Sequence, residues 1–197
     1  MPLLRKSHNR GGGKVDNLMR LDGGNFYRVI VRPVVIVTTI SRNGVPNAAP
    51  FSFCTPISFD PPVFSIASQP AHDTWRNIKE TEEFVINIPG ENLGDSLKIL
   101  SKRYPPEVNE IEEAGLTQVP SKMVAPPRIA EAYAWFECKM IENVEIGDHV
   151  LIAGEVLVAE IKEDMFDETL RLNKARPLCH IAGEFFTVPE EVKRIER

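Results

Sequence analysis

The chain has 197 residues, of which 43% are hydrophobic and 26% are charged, and its formal net charge is −5. These values are ordinary for one globular domain that buries a real core. The negative charge and the lack of a basic stripe argue against nucleic-acid binding, and no apolar stretch reaches the ~18 residues needed to span a bilayer. Because the N-terminus also lacks an apolar signal core, we expect a cytoplasmic protein.

The three cysteines, Cys54, Cys138 and Cys179, are odd in number and have no CxxC or zinc-knuckle spacing. We therefore expect neither a disulfide framework nor a structural zinc site, and the pattern indicates a reduced, intracellular protein. Cys179 is followed by His180, but neighbouring residues of a strand face opposite ways. We predict no dedicated metal site.

Residues 1–25 are predicted to form a basic N-terminal arm or tail. Their first part is polar and contains the glycine run 11–13. The stretch GGGKV is not a phosphate-binding loop, because Val15 occupies the position that requires Ser or Thr and no strand precedes it. Contact with a second subunit is one way in which such an arm could be held.

The next part of the chain is predicted to be rich in strands. Residues 34–40 are almost all apolar or β-branched, and the Asn43-Gly44 pair that follows is the strongest short-range signal for a hairpin. We predict strands over 34–40, 45–55 and 63–67. Prolines mark the entries and bends of these strands, because proline cannot donate a hydrogen bond in a central ladder.

Short helices then alternate with strands. We predict a helix over 74–80 with Asp73 as its N-cap, a strand over 84–88 and an amphipathic helix over 92–102. Residues 103–128 lack periodicity and are predicted to be a long loop, which at this length is usually functional or partly mobile.

The last third of the chain predicts a long antiparallel hairpin. Its alternating strands cover 131–143 and 149–160, and a last strand over 179–187 and a short C-terminal helix or tail over 189–197 follow. Strands dominate, regular βαβ alternation is absent and no GxGxxG follows a strand, which argues against a doubly wound dinucleotide-binding fold. We predict a mainly β domain over 26–188, an antiparallel β-barrel with peripheral helices.

The strand predicted over 45–55 is unusual because it would pack lightly. Its apolar residues are mostly small, and it carries the polar side chains of Asn47, Ser52 and Thr55. One explanation is that something other than protein lies against it. The alternative is that it packs against another strand or a second subunit.

Three segments, in this order and at this spacing, resemble the flavin reductase-like family, whose members have the FMN-binding split-barrel fold. The segments are RPVVIVTTISRNGVPNAAPFSFCTPISFDPPVF, then HDTWRNI with the following EFVINIP, and then IGDHVLIAGEV. Flavoredoxin-like proteins are the most similar subgroup. The resemblance covers residues 26–186 and implies a split barrel that binds FMN.

The resemblance also implies which residues contact FMN. Small Ala48 and Ala49 would let the flat flavin ring approach the backbone, while the hydroxyls of Ser52 and Thr55 would bond its pyrimidine edge or ribityl chain. The full set of implied cofactor-binding residues is Asn47, Ala48, Ala49, Pro50, Phe51, Ser52, Phe53, Cys54, Thr55, Ser68, Asp73, Thr74, Arg76 and Asn77.

The segment HDTWRNI would hold the phosphate of FMN. A helix N-terminus offers unpaired N–H donors and the positive end of a dipole, and Thr74 would add a hydroxyl. Because two unit negative charges ~4 Å apart repel by about 4 kcal/mol, Asp73 is expected to cap the helix while Arg76 and His72 supply positive charge. The alternative is an ordinary capped helix without a ligand.

The GDH sequence at Gly147-Asp148-His149 resembles a family motif that lies near the flavin and is associated with nicotinamide binding. His149 is the implied catalytic residue, because histidine titrates near neutral pH and can bond a carboxamide or move a proton. The alternative is a hairpin turn in which Asp148 is only a turn former.

Cys54 is interpreted as a small buried hydrophobe.

Together these expectations describe an FMN-dependent oxidoreductase that takes a hydride from NADH or NADPH and passes electrons to a small molecule or a protein. The first alternative is a flavoredoxin-type electron carrier that does not oxidise NADH or NADPH directly. The second is an interaction protein that keeps the barrel and binds no flavin. The resemblance further implies a homodimer with the flavin near the interface.

Overall fold

Twelve strands and four α-helices make up the part of the chain that the computed structural model describes, residues 17–195. Most of the predicted arm over 1–25 therefore lies outside the described residues. The strands are β1 (Arg32–Pro33), β2 (Val35–Ile40), β3 (Pro46–Phe51), β4 (Cys54–Phe59), β5 (Pro62–Ser68), β6 (Glu83–Ile88), β7 (Gln118–Val119), β8 (Arg128–Ile129), β9 (Ala134–Ile146), β10 (His149–Ile161), β11 (Cys179–Ala182) and β12 (Phe185–Thr187).

The helices are short and lie between the strands. They are α1 (Asp73–Thr81), α2 (Gly94–Leu100), α3 (Glu110–Glu113) and α4 (Leu172–Ala175), and 3-10 segments occur at Gly23–Val29, Glu91–Leu93 and Glu163–Met165. No helix within residues 17–195 is long and apolar enough to cross a bilayer.

Seven of the strands form one antiparallel sheet that closes on itself. Their order across the sheet is β3-β2-β6-β9-β10-β5-β4, so β3 and β4 are its two edges. Only Ser52 and Phe53 separate these edge strands in the chain. The sheet must therefore curl until the end of β3 lies close to the start of β4, although these two edge strands do not pair with each other. This confirms the predicted mainly β barrel with peripheral helices.

Strand β2 is buried on both faces, which explains its nearly continuous apolar sequence. Val35 and Val37 face the main core inside the barrel. Val34, which precedes the strand, and Ile36 face a second core, which α2 and α3 cover with residues such as Leu97. The two cores lie on opposite sides of the strand because successive side chains alternate.

Gly154 allows the long β9–β10 hairpin to lie close to β6. A Cβ atom at position 154 would lie 2.7 Å from Cε1 of Phe84, and closer still to Cζ of the same ring. Phe84 is fully buried at the centre of the main core. Any side chain at position 154 would displace this ring.

Two predicted strands are each divided in the structure. The strand predicted over 45–55 is β3 followed by β4, because the chain turns at residues 52–53 to pass from one edge of the sheet to the other. The strand predicted over 179–187 is the hairpin of β11 and β12, with Gly183 at φ +56° in the turn. Local alternation continues through both turns, so it does not reveal them.

The remaining predicted elements differ at their ends. The helix predicted over 92–102 begins as a 3-10 turn and becomes α2, and the loop predicted over 103–128 contains α3 and β7. Residues 189–195 form no helix, which agrees with the tail among the two alternatives predicted for 189–197. Val192 and Ile195 are exposed there, and a short helix needs an apolar contact to be stable in water.

Candidate functional site

A cavity of about 460 Å³ opens between β3, the start of α1 and the segment that follows α2. Its volume lies in the range of small-molecule sites. Three stretches and two single residues line it: residues 47–53 except Ala48, residues 67–74 except Ser68 and Pro70, residues 100–104, Glu110 and His149.

The structure brings nine of the predicted site residues to this cavity. They are Asn47, Ala49, Pro50, Phe51, Ser52, Phe53, Asp73, Thr74 and His149. The cavity therefore joins the strand that was predicted to pack lightly, the predicted phosphate helix and the predicted catalytic histidine, although these segments lie far apart in the sequence.

Six predicted cofactor-binding residues do not line the cavity; they are Ala48, Cys54, Thr55, Ser68, Arg76 and Asn77. Ala48 is fully buried in the second core, and Ser68 is fully buried and donates to the carbonyl of Gln69. Asn77 is buried and donates to Thr39. Burial raises the pKa of the Cys54 thiol to about 12, so this cysteine carries no thiolate near neutral pH.

Asn47 is the centre of a buried hydrogen-bond network at the floor of the cavity. Its Oδ1 accepts from the hydroxyls of Thr39 and Thr74, each at 3.2 Å. Its Nδ2 donates to Oε2 of Glu110 at 2.6 Å. The same carboxylate oxygen accepts from the backbone N–H of Ala48 at 2.8 Å. Strands β2 and β3 and helices α1 and α3 are tied together by these bonds.

The hydroxyl of Thr74 is committed to this network. Thr74 is 1% exposed, and a hydroxyl has only one hydrogen to donate. In this structure that hydrogen goes to Asn47. The prediction that Thr74 donates to a phosphate stays a prediction, and it would require this bond to be exchanged.

Helix α1 presents free backbone donors at the cavity. Its first bond of the α-helical type runs from Arg76 N to His72 O, so the N–H groups of Asp73, Thr74 and Trp75 have no partner within the helix. The prediction that Asp73 is the N-cap is wrong, since His72 holds that position. Asp73 instead begins the helix and pairs with Arg76 at 2.7 Å.

Two cationic and two histidine side chains line the cavity. Lys102 and Arg103 come from the segment after α2, and His72 and His149 lie on other sides. Burial lowers the pKa of His72, and the positive charges of Arg103 and His149 lower it further. A bound anion would offset this electrostatic repulsion.

His149 lines the cavity beside Phe53. Its ring centre is 5.6 Å from that of Phe53, and its Nδ1 is 2.7 Å from Oδ1 of Asp148. The hydrogen bond from His149 lowers the pKa of the Asp148 carboxyl. Asp148 therefore stays ionised and fixes the orientation of the imidazole.

Ser52 is held by a second polar cluster, which sequence reasoning missed. Its hydroxyl lies 3.0 Å from Nδ1 of His180 and 3.4 Å from Nε of Arg32. Arg32 also places NH2 3.1 Å from the same Nδ1, so this nitrogen accepts both hydrogens. Nε2 of His180 then carries the ring hydrogen and donates to the carbonyl of Gly183 at 3.1 Å.

Sequence reasoning also missed the contributions of residues 100–104 and Glu110. Residues 103–128 have no periodicity from which a direction could be inferred. Glu110 belongs to an acidic run with Glu107, Glu112 and Glu113, which are exposed, while Glu110 is 6% exposed. No local feature separates the one buried glutamate from its neighbours.

Among residues 17–195, no group of three or more His, Cys, Asp or Glu side chains is arranged to hold a metal ion.

Comparison with known proteins agrees with this geometry. An uncharacterized protein of Aquifex aeolicus is 38% identical over 177 residues, which are 84% of this chain and 90% of that protein. Among solved structures, nitrilotriacetate monooxygenase component B from Bacillus cereus has a TM-score of 0.83 at 25% identity and covers 96% of this chain and 100% of its own.

A flavoredoxin of Desulfovibrio vulgaris has the same fold. Its TM-score is 0.80 at 22% identity, and the match covers 90% of this chain and 97% of that chain. A family model described as flavin reductase like domain matches residues 26–189. The resemblance inferred from the sequence is thus confirmed, and the chain belongs to the flavin reductase-like domain family.

Proposed function

We propose that the cavity binds FMN and that the protein is an oxidoreductase that passes electrons from NADH or NADPH through the flavin to a small-molecule or protein acceptor. One observation carries the proposal. The lightly packed strand β3, the free backbone N–H groups at the start of α1 and the cations of residues 102–103 all line the same cavity. Family membership and the family's name support a flavin as the ligand.

The residues present fit the two ends of FMN. Free N–H groups at the start of α1, together with Lys102 and Arg103, suit a phosphate. At the other end, Ala49 and Pro50 offer a flat backbone surface, while Phe53 and His149 offer rings. FMN is favoured over FAD, because no sequence motif for an adenosine half is present.

When bound, the flavin would supply the hydride and electron chemistry. The chain's own residues would bind and orient. Asp148 accepts from Nδ1 of His149, which leaves Nε2 available to bond the carboxamide of a nicotinamide. Phe53 lies against the imidazole and limits its movement. His149 is thus proposed as the residue that orients the electron donor.

We also propose that the protein forms a homodimer. Phe53, Ile57 and Phe59 are exposed by 41%, 53% and 97% along the turn before β4 and the strand itself. Strand β4 is an edge of the sheet, and this apolar run begins at the cavity. A second copy of the chain packed there would cover the run and close the open side of the cavity.

The choice of cofactor is tested by titrating the flavin-free protein with FMN and FAD and following the quenching of flavin fluorescence. We expect FMN to bind more tightly, because the phosphate ends at α1. Tighter binding of FAD would overturn the FMN assignment.

Electron donation is tested by adding NADH or NADPH to the FMN-loaded protein without oxygen. We expect at least one of them to bleach the visible flavin band. His149→Gln should slow bleaching about ten-fold, since it weakens one hydrogen bond of ~1.5 kcal/mol, while Glu145→Gln on the same hairpin should not. If neither nucleotide bleaches the band, the flavoredoxin-type carrier is the better assignment.

A further inference from the structure

Glu110 is a buried carboxyl group that forms no ion pair with any residue between 17 and 195. It is 6% exposed, and its hydrogen-bond partners among the described residues are the side chain of Asn47 and the backbone of Ala48. Both bonds use Oε2, so Oε1 has no partner within residues 17–195. A buried carboxylate with only neutral partners is costly, which makes this group sensitive to any further negative charge.

Glu110 lies close to the proposed phosphate end of the cavity. One carboxamide, that of Asn47, separates Oε2 of Glu110 from the hydroxyl of Thr74. Thr74 belongs to the first turn of α1, where the free donors are. Glu110 also lines the cavity itself. A phosphate on these donors would therefore lie near the carboxyl group, which is itself shielded from solvent.

We propose that Glu110 takes up a proton from solvent when the phosphate of FMN enters the cavity, so that flavin binding and protonation of this carboxyl are linked. The inference rests on the proposed function and adds a property of the site. The physical reason is that a phosphate and an ionised Glu110 repel each other across Asn47, whereas a protonated carboxyl does not repel.

The charges around Glu110 support this linkage. Burial raises the pKa of Glu110 to about 7, and the nearby carboxylate of Asp73 raises it too, while the bonds from Ala48 and Asn47 lower it. The other titratable groups that face it across the cavity are His72, Lys102, Arg103, Tyr104 and His149. Near pH 7, Glu110 of the flavin-free protein is thus partly protonated and partly ionised. A small added repulsion from an anion shifts it towards the protonated form.

The direction in which FMN affinity changes with pH follows from the two protonation states of Glu110. With a pKa of about 7 in the empty protein, the protonated fraction falls from about nine tenths at pH 6 to about one tenth at pH 8. If the phosphate requires the protonated form, the affinity for FMN falls roughly ten-fold over this range. At pH 7, binding takes up about half a proton.

The test compares wild type with Glu110→Gln, which keeps the shape and the acceptor oxygen but cannot ionise. The dissociation constant of FMN is measured by fluorescence at pH 6 and 8. Proton uptake is measured at pH 7 by calorimetry in two buffers with different ionisation enthalpies. We expect the ten-fold fall in wild type and its removal in Glu110→Gln, with about half a proton less taken up.

Two controls separate Glu110 from the other titrating groups. His72→Gln removes the nearby histidine and should keep most of the pH dependence. Riboflavin lacks the phosphate and should bind wild type without the uptake assigned to Glu110. The FMN phosphate itself has a second pKa of about 6 and releases protons when it binds beside cations, so a greater proton uptake with FMN than with riboflavin still reports Glu110 if Glu110→Gln does not fold. The same pH dependence in wild type and Glu110→Gln, or equal uptake with FMN and riboflavin, would overturn the inference alone. Absence of flavin binding at either pH would overturn the proposed function as well.

Discussion

Asn47 shows how one residue can connect a strand, a helix and a distant loop. Its three hydrogen bonds to Thr39, Thr74 and Glu110 are all buried. Satisfying buried polar groups in this way makes a site rigid, and it fixes the direction of the Asn47 amide. Strand β3 packs lightly on its cavity side, but the amide group of Asn47 on this strand is fixed by its three hydrogen bonds.

At the residue scale, Arg103 allows the phosphate end to be tested without disturbing this network. Arg103 is exposed at the cavity and is not part of the network. We expect Arg103→Met to weaken FMN binding roughly ten-fold, because a hydrogen bond to a charged group contributes ~1.5–3 kcal/mol. Riboflavin binding should stay nearly unchanged, and both constants can be measured by fluorescence titration.

Lys98→Met is the matched control for Arg103→Met. Lys98 is an exposed cation on α2 that does not line the cavity, so its loss changes the net charge equally without removing a cavity contact. If both variants weaken FMN binding to the same extent, only the overall charge matters and the placement of the phosphate beside Arg103 is wrong.

At the element scale, the long hairpin of β9 and β10 places His149 at its tip, and residues along its length contribute to the main core. Its pairing shifts register between Ala153 and Gly154 and again between Val156 and Val158. Such shifts bend and twist a strand strongly, which helps the hairpin to follow the curved sheet. The position of His149 at the cavity therefore depends on packing far from the tip.

Gly154→Ala tests this dependence. The new methyl group would press on the ring of Phe84, and overpacking of a well-packed core costs about 1–3 kcal/mol. We expect the free energy of unfolding, measured with urea, to fall by that amount. Gly94→Ala on α2 is the control: its Cβ would meet nothing within 4 Å, so the variant should be neutral or up to ~1 kcal/mol more stable. Equal effects of the two changes would contradict the packing argument.

At the scale of the whole molecule, the closure of the sheet leaves an unpaired edge at β4. Exposed edge strands invite pairing or packing with another chain, and Phe59 on this edge is almost completely exposed. A partner surface there would remove from water the apolar run that begins at Phe53. The edge and the open side of the cavity belong to the same part of the surface.

The homodimer is tested by Phe59→Asp. A carboxylate buried without a partner costs ~3 kcal/mol or more, so we expect the dimer dissociation constant to rise at least about 100-fold. Light scattering coupled to size exclusion would show a wild-type dimer and a largely monomeric variant. Val192→Asp, in the exposed C-terminal segment, should leave the mass unchanged. A wild-type protein that is already monomeric while FMN is bound would overturn the proposal.

Most strands and the general composition of the cavity could be predicted from local sequence patterns and from the family resemblance. The apolar stretch that became β2 and the alternation of β10 are local patterns, and they persist because burial on two faces or on one face acts on each residue of a strand. The resemblance in HDTWRNI and NGVPNAAPFSF brought Asn47, Asp73 and Thr74 to attention, and all three line the cavity.

Local sequence patterns do not show which side chains share that cavity or which hydrogen bonds each one makes there. The turn at residues 52–53 is visible only once the sheet closes, because the alternation on either side of it is unbroken. Glu110 differs from its acidic neighbours only in being buried against β3, and Arg32 and His180 meet at Ser52 across a wide separation in sequence. Hydrogen bonds between distant segments depend on how the barrel closes, and local sequence patterns do not encode that closure.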